Sequence, residues 1–279
     1  FLLLFIFCFN VSKAQNWNWQ NPLPQGVNLN AVYFTDANTG YAVGLDGVIL
    51  ITTDAGISWT PQNSGTTNGL SDVYFTDADT GYAVGSGGSL LKTIDGGLNW
   101  NLLPGASISL SSVFFTSSSV GYAAGSNGSS ATISKTINGG ITWTAQLTTP
   151  VTNFNAVYFC NDTTGYVVGN GGRIFKTTNG GNTWNQQTSG VNTSLFSVYF
   201  TDENHGYAGD YGRILRTTDG GATWTYLTIF QSYELYGMYF TDSNTGYAVG
   251  RSGKILKTTN AGVNWTFLNS GTSIDLRSV

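Results

Sequence analysis

Six tryptophans, Trp59, Trp100, Trp143, Trp184, Trp224 and Trp265, follow one another at intervals of 40 to 43 residues. A fixed period of this length is left by supersecondary units stacked in a row, each too small to bury its own apolar face. The unit is roughly "LxxVYFTDxxTGYAVGxxGxILKTTDGGxTW", and its "LxxV" opening recurs at Leu29/Val32, Leu70/Val73, Leu110/Val113, Phe154/Val157, Leu195/Val198, Leu235/Met238 and Leu276/Val279. Six units are complete. "NWNWQNPLPQG" around Trp19 matches the end of a unit without its front, so the chain is expected to be part of a longer protein.

Within a unit the apolar runs are short and bounded by turn residues, which specifies strands and not helices. Strand A is "VYF", strand B "GYAVG" and strand C "GxILKTT", with strand D starting at the Trp. Four strands per 40 to 45 residues is the blade of a β-propeller. "TDANTG", "TDADTG" and "TDSNTG" supply side-chain caps and glycine for positive φ between strands A and B, and "GLDG", "GSGG" and "GNGG" do so between B and C. The fold class expected is all-β, a single propeller domain over 15–279. Its blades fall near 29–69, 70–109, 110–153, 154–194, 195–234 and 235–275, with a seventh beginning at 276 and closed in the full-length protein by the strand at Trp19.

The opening "FLLLFIFCFNVSKAQ" is apolar, then small and polar, and too short to span a bilayer. It reads as a signal peptide, residues 1–14, lacking its basic start, and predicts an exported chain beginning near Gln15. Cys160 is then the one cysteine of the mature chain, so the fold rests on packing and not on an intrachain disulfide. Charged residues make up only 9%, and a net charge of -4 speaks against nucleic acid, which needs a basic stripe. No mature segment is long and apolar enough to cross a membrane as a helix.

"TTDAGISW", "TIDGGLNW", "TINGGITW", "TTNGGNTW", "TTDGGATW" and "TTNAGVNW" fit the Asp-box pattern S/T-x-D-x-G-x-T-W, with Asn for Asp in three copies. The box residues are Asp54 and Trp59, Asp95 and Trp100, Asn138 and Trp143, Asn179 and Trp184, Asp219 and Trp224, and Asn260 and Trp265. An Asp here accepts turn amides, the Gly takes a conformation closed to other residues and the Trp anchors the hairpin, a structural role. The pattern resembles the bacterial neuraminidase repeat. With the flanking "GYAVGxxGxIxxTxDGGxTW" it is similar more particularly to the photosystem II stability and assembly factor family of exported propellers, from Trp19 to the end. The resemblance implies a non-enzymatic scaffold or assembly chaperone without cofactor, with its boxes on the rim away from the ligand face. It also implies that an arginine patch contacts the partner, for which Arg173, Arg213 and Arg251 are the nearest counterparts.

In such a blade the A/B and C/D turns share one face, and the B/C turns and D-to-A connections share the other. Residues that break the repeat on that second face are the binding candidates: Asp46, Asp210, Tyr211 and Arg251 in B/C turns, Arg173, Arg213 and Lys254 just after them, and Tyr233, Glu234 and Tyr236. Arg173, Arg213 and Lys254 occupy one repeat position in consecutive blades. They form either a basic arc able to grip a carboxylate, phosphate or acidic peptide of a protein or glycan partner, or ordinary solvated loops. Lys92, Lys135, Lys176, Arg216 and Lys257 form a second basic set late in strand C, read as rim ion pairs with Asp77, Asp202 and Asp242 or as a ring-shaped anion site. The third unit has three extra residues in "GSNGSSATISKTINGGITW" and the fifth loses one in "GYAGDYG", each readable as a bulge.

The alternative is a glycoside hydrolase, a sialidase or a β-glucan-cleaving Asp-box propeller. Sialidase chemistry finds its residue types in Arg173, Arg213, Arg251, Tyr211 and Glu234, but no "FRIP"-like segment. Polysaccharide cleavage needs two carboxylates, and only Asp46, Asp72, Asp210, Glu234 and Asp275 lie outside the A/B turns and boxes. "DADTG" lacks the closing Glu of a calcium loop. The single histidine, His205, replaces a turn Thr, so neither a transition-metal site nor a Ser/His/Asp triad is expected.

Overall fold

The computed structural model describes residues 26–104, 108–150, 152–228 and 233–279. Among them are six four-stranded antiparallel sheets, each with its strands in sequence order from A to D. The first is β1 (Leu29–Phe34), β2 (Gly40–Gly44), β3 (Ile49–Thr52) and β4 (Thr60–Gln62). The others span 70–102, 109–149, 154–187, 197–228 and 235–268. The chain is a six-bladed all-β propeller, its only helices four three-residue 3-10 turns among the described residues. Leu276 N donates to Gly250 O (3.0 Å) as Leu195 N donates to Gly169 O (3.1 Å), so the chain leaves the sixth blade as it leaves the fourth. The signal segment and Trp19, and with it the expected closing strand, lie outside the described residues.

Strand B lies between neighbouring blades, and "GYAVG" is buried at every position in blades 1, 2 and 6. Strand D begins one residue after the Trp and not at it, for instance at Thr60 and Thr266. The indole closes the C/D turn and packs edge-on against the strand A phenylalanine: Trp100 and Phe75 have centroids 6.0 Å apart at 88°. Strand A slips by one residue against strand B at Leu29/Ala31, Leu70/Asp72, Phe154/Ala156 and Leu235/Gly237. Bulges between strands A and B are therefore part of the repeat, while blade three has a further one between its strands C and D at Ile133/Ser134. The extra residues of blade three lengthen β10 (Gly121–Ser126) and β11 (Ala131–Thr136) around a turn tied by Asn127 N donating to Ser130 O at 3.2 Å.

The A/B turns are capped by side chains, but their glycines do not serve positive φ. Asp36 Oδ1 accepts from Asn38 N (2.7 Å) and Thr39 N (2.8 Å), and these amide bonds hold its carboxyl below the usual range. Asp242 is capped and lowered in the same way by Asn244 and Thr245. The glycine that follows makes room for a ring, since a Cβ on Gly81 would sit 2.5 Å from the Phe75 side chain. Positive φ falls in the other two turns, as at Gly87 (63°) and Gly56 (85°).

In the C/D turns the strand C threonine and the box residue act together. Thr52 Oγ1 accepts from Gly56 N and donates to Asp54 Oδ1, each at 2.8 Å. Asp54 Oδ1 also accepts from Ser58 N (2.9 Å), and Oδ2 accepts from Ser58 Oγ (2.6 Å). Asn replaces Asp without loss because Asn138 Oδ1 accepts from Thr142 N (2.9 Å) while its Nδ2 donates to Thr142 Oγ1 (2.9 Å).

Blades are joined through the strand B tyrosine. Tyr82, Tyr122 and Tyr166 each stack on the next blade's strand A phenylalanine at 3.9 Å between centroids. Their hydroxyls donate to the C/D-turn carbonyls of Gly139, Gly180 and Gly220 at 2.7 to 3.0 Å. Three of the second basic set, Lys92, Lys135 and Lys176, serve the same joint and not rim ion pairs. They donate Nζ to those same carbonyls at 2.6 to 2.9 Å, their ammonium groups 5.2 to 5.6 Å from the tyrosine ring centres. Among the described residues none of the three pairs with an aspartate.

Closer to the axis, Asp72 of blade two takes the amides of Val73 and, across the joint, Val113, both at 2.9 Å. Burial pushes its carboxyl up to about 6 from an ordinary 3.8. The folded state thus favours the proton, so this group's contribution is present below about pH 4 and is lost as pH rises through about 6. Asp72→Asn keeps an acceptor for Val113 and is expected to raise stability at pH 8 by about 1–3 kcal/mol, with no gain at pH 3. Urea unfolding at the two pH values checks this, and an equal effect at both would contradict it.

Candidate functional site

The B/C turns and D-to-A connections converge on one face, as the strand order requires. Arg173, Arg213 and Lys254 each open strand C in β15 (Arg173–Thr177), β19 (Arg213–Thr217) and β23 (Lys254–Thr258). They share a repeat position, yet their charges are placed differently.

Blade five is where the repeat breaks. Asp210 stands where blades four and six have Gly169 and Gly250, whose Cβ would lie 2.2 and 2.0 Å from the preceding loop's carbonyl oxygens. The lost residue removes the 3-10 turn, strand A starts late at Ser197, and the crowding disappears. The carboxylate that enters is fully buried. Asp210 Oδ2 accepts from Arg213 Nη2 (2.6 Å), Arg213 Nε (2.9 Å) and Thr193 Oγ1 (2.7 Å), while Oδ1 accepts from Arg213 N (3.0 Å). Arg213 also donates to Thr193 Oγ1 (2.6 Å) and lies 5.3 Å from the Tyr226 ring centre. It is a strut between the B/C turn and the connection that leaves blade four.

Arg251 is likewise paired, its Nη1 donating to both Glu234 oxygens at 3.1 and 3.3 Å. The Glu234 partner raises its pKa further. Lys254 sits 4.9 Å from the ring centre of Tyr233 and 6.0 Å from that of Phe267. The Arg173 side chain alone of the four makes no hydrogen bond, ion pair or ring contact among the described residues. It lines a groove of about 620 Å³ together with Arg213, Gln186, Gln187, Asn192 and the 188–191 connection. Asp46 stands apart on the B/C turn of blade one, at a φ of 57°.

The same face carries an aromatic cluster at the start of strand A in blades five and six. Phe196 meets Tyr211 and Tyr236 edge-on at 5.1 and 5.6 Å, and the Arg277 guanidinium lies 5.1 Å from the Tyr236 ring centre. Phe196 and Arg277 were not among the sequence candidates, although one column of the repeat flags them. The residue after the opening Leu is Asn30, Ser71, Ser111 and Asn155 in four blades, then Phe196, Tyr236 and Arg277.

The arrangement suits recognition of an anion better than acid–base chemistry. The three carboxylates of blades five and six on this face, Asp210, Glu234 and Asp275, each lie against an arginine, Arg213, Arg251 and Arg277. No group of three or more His, Cys, Asp or Glu able to hold a metal occurs among the described residues. Likewise, no helix of the described residues is long and apolar enough to cross a membrane.

Fold and site together define a β-propeller with an arginine-lined groove on its B/C face. A sequence model described as photosynthesis system II assembly factor YCF48 matches residues 143–230 and 177–275. The structure is similar to that of YCF48 bound to D1 peptide, at 20% identity, TM-score 0.72, covering 88% of this chain and 83% of that one. It is similar to YCF48 from Cyanidioschyzon merolae at 18% identity, TM-score 0.72, covering 91% and 88%. The GH74 xyloglucanase from Xanthomonas campestris is also similar, at 13% identity and TM-score 0.68, covering 88% of this chain and 46% of that one. No curated protein matches the chain. The sequence model thus likens residues 143–275 to the photosystem II assembly factors, and the solved structures share the propeller fold.

Proposed function

We propose that the chain is an exported, non-enzymatic scaffold whose blade-four groove takes a carboxylate-bearing segment of a partner protein. The observation that carries this is the Arg173 guanidinium, unpaired among the described residues, in a groove of about 620 Å³ whose other arginine is already neutralised. A planar guanidinium aimed into a part-enclosed site is the group suited to a bidentate carboxylate contact. The solved relative printed as bound to a D1 peptide lends the peptide class support. Export rests on the leader read in residues 1–14.

Titrating the full chain with a labelled Asp/Glu-rich peptide and with a Lys-rich control tests the reading. Arg173→Glu is expected to weaken acidic-peptide binding tenfold or more, about 1.4 kcal/mol or above, without changing the melting temperature. Unchanged affinity would rule out the groove. The xyloglucanase likeness supports the glycoside hydrolase reading at the level of fold only, and turnover of xyloglucan or a fluorogenic sialoside that disappears in Glu234→Gln would establish it instead.

A further inference from the structure

The opposite face carries a feature that neither the fold nor the groove uses. Five aliphatic side chains stand on the C/D turns of blades one to three: Ile57, Ile94, Leu98, Ile137 and Ile141, between 61% and 77% exposed. The turns do not require them. Blades four and five have Thr178, Asn182, Thr218 and Ala222 at the same positions, and blade six has Thr259 and a half-exposed Val263. The turns of blades four and five are closed by the same bonds, Gly181 N to Thr177 Oγ1 and Gly221 N to Thr217 Oγ1, both 2.8 Å. Loop tips that can be polar and are aliphatic on one side of the ring mark an interaction surface.

The charge around these tips selects the occupant. Each C/D turn is tied to the A/B turn of its own blade, by Ala55 N to Asn38 O and Gly96 N to Asp79 O at 2.9 Å. This brings the exposed Asp36, Asp77 and Asp79 onto the same face as Asp54 and Asp95. Hydrogen bonds hold Asp36, Asp54 and Asp95 below the usual carboxylate range, so they are charged at neutral pH. Lys92 and Lys135 keep their charge while donating to the carbonyls of Gly139 and Gly180, so five carboxylates of blades one and two stand against two ammonium groups. An acidic field with apolar tips repels an anionic bilayer and repels a second copy of itself.

We infer that the C/D-turn rim of blades one to three docks a second protein, one that presents aliphatic side chains flanked by Lys or Arg. The propeller would then hold two partners, one on each face, which is what a scaffold that brings components together requires.

The test places a photo-cross-linking residue at Leu98 in the full-length protein within its own cells and identifies the contacted peptide. A second variant adds Ile57→Asn, Ile94→Thr, Ile137→Thr and Ile141→Asn, residue types already used by blades four and five and therefore compatible with the turns. The expected result is a cross-link to another protein at a segment containing aliphatic residues beside Lys or Arg. It should fall at least tenfold in the polar-rim variant and stay within twofold in Arg173→Glu. Cross-links only to lipid, to a second copy or to an acidic segment would overturn the inference, as would no cross-link or one indifferent to the rim changes. Loss in Arg173→Glu with the rim intact would reassign the contact to the groove.

Discussion

Arg213→Ala is expected to destabilise the propeller by about 3–5 kcal/mol, because it strands a buried carboxylate. Asp210 is 0% exposed and receives three of its bonds from Arg213. Removing the guanidinium leaves the buried charge with two neutral donors, the Thr193 hydroxyl and the backbone amide of residue 213, and with no counter-charge. Asp210→Asn combined with Arg213→Met removes both charges together and should recover most of the loss. Urea unfolding of the single and double variants reads the coupling directly. Equal losses in both would show that the site depends on the contact of the Arg213 guanidinium with the Tyr226 ring and not on the ion pair.

Tyr122→Ala is expected to cost a similar 3–5 kcal/mol, whereas Tyr122→Phe should cost only about 1 kcal/mol. The ring is fully buried and stacks on Phe159 at 3.9 Å. Its hydroxyl shares the Gly180 carbonyl with Lys135 Nζ, which donates at 2.6 Å, so the phenylalanine variant leaves that oxygen satisfied. The alanine variant opens a cavity between blades three and four. Successive blades contact chiefly their neighbours, so unfolding in this variant should begin at that joint. Hydrogen exchange along the chain checks this. A phenylalanine variant as damaged as the alanine one would mean that the hydroxyl, and not the ring, holds the blades.

Much of the fold was legible because the repeat is written in residues that act locally. Trp, the A/B caps and the positive-φ glycines of the B/C and C/D turns fix each hairpin within its own unit, so one period of sequence specifies one blade. What was illegible acts between units. The lysine that follows strand B by some ten residues looks like a partner for the aspartate of its own blade, and only the packing of two sheets reveals that it reaches the next blade's carbonyl. The glycine after each A/B turn suggests backbone freedom, yet the Phe ring above it explains it.

The candidate site divides in the same way. Deviation from the repeat drew attention to Arg173, Asp210, Tyr211, Arg213, Glu234 and Arg251, and all but Asp46 of the candidates cluster on blades four to six. Which cation is unpaired could not be read in one dimension. The pairing of Arg213 with Asp210 follows from a one-residue deletion that reshapes a turn, and that of Arg251 with Glu234 joins a B/C turn to the connection before it. Phe196 was hidden inside the "LxxV" motif, where the conspicuous Leu and Val draw the eye from the variable column between them.

Hydrogen–deuterium exchange of the full chain with and without a saturating Asp/Glu-rich peptide tests the central claim most directly. The account predicts slowed exchange at 171–173 and 186–192, the walls around Arg173, with the A/B turns unchanged and the effect abolished in Arg173→Glu. Protection confined to the A/B and C/D rim, or protection that persists in the variant, would contradict it.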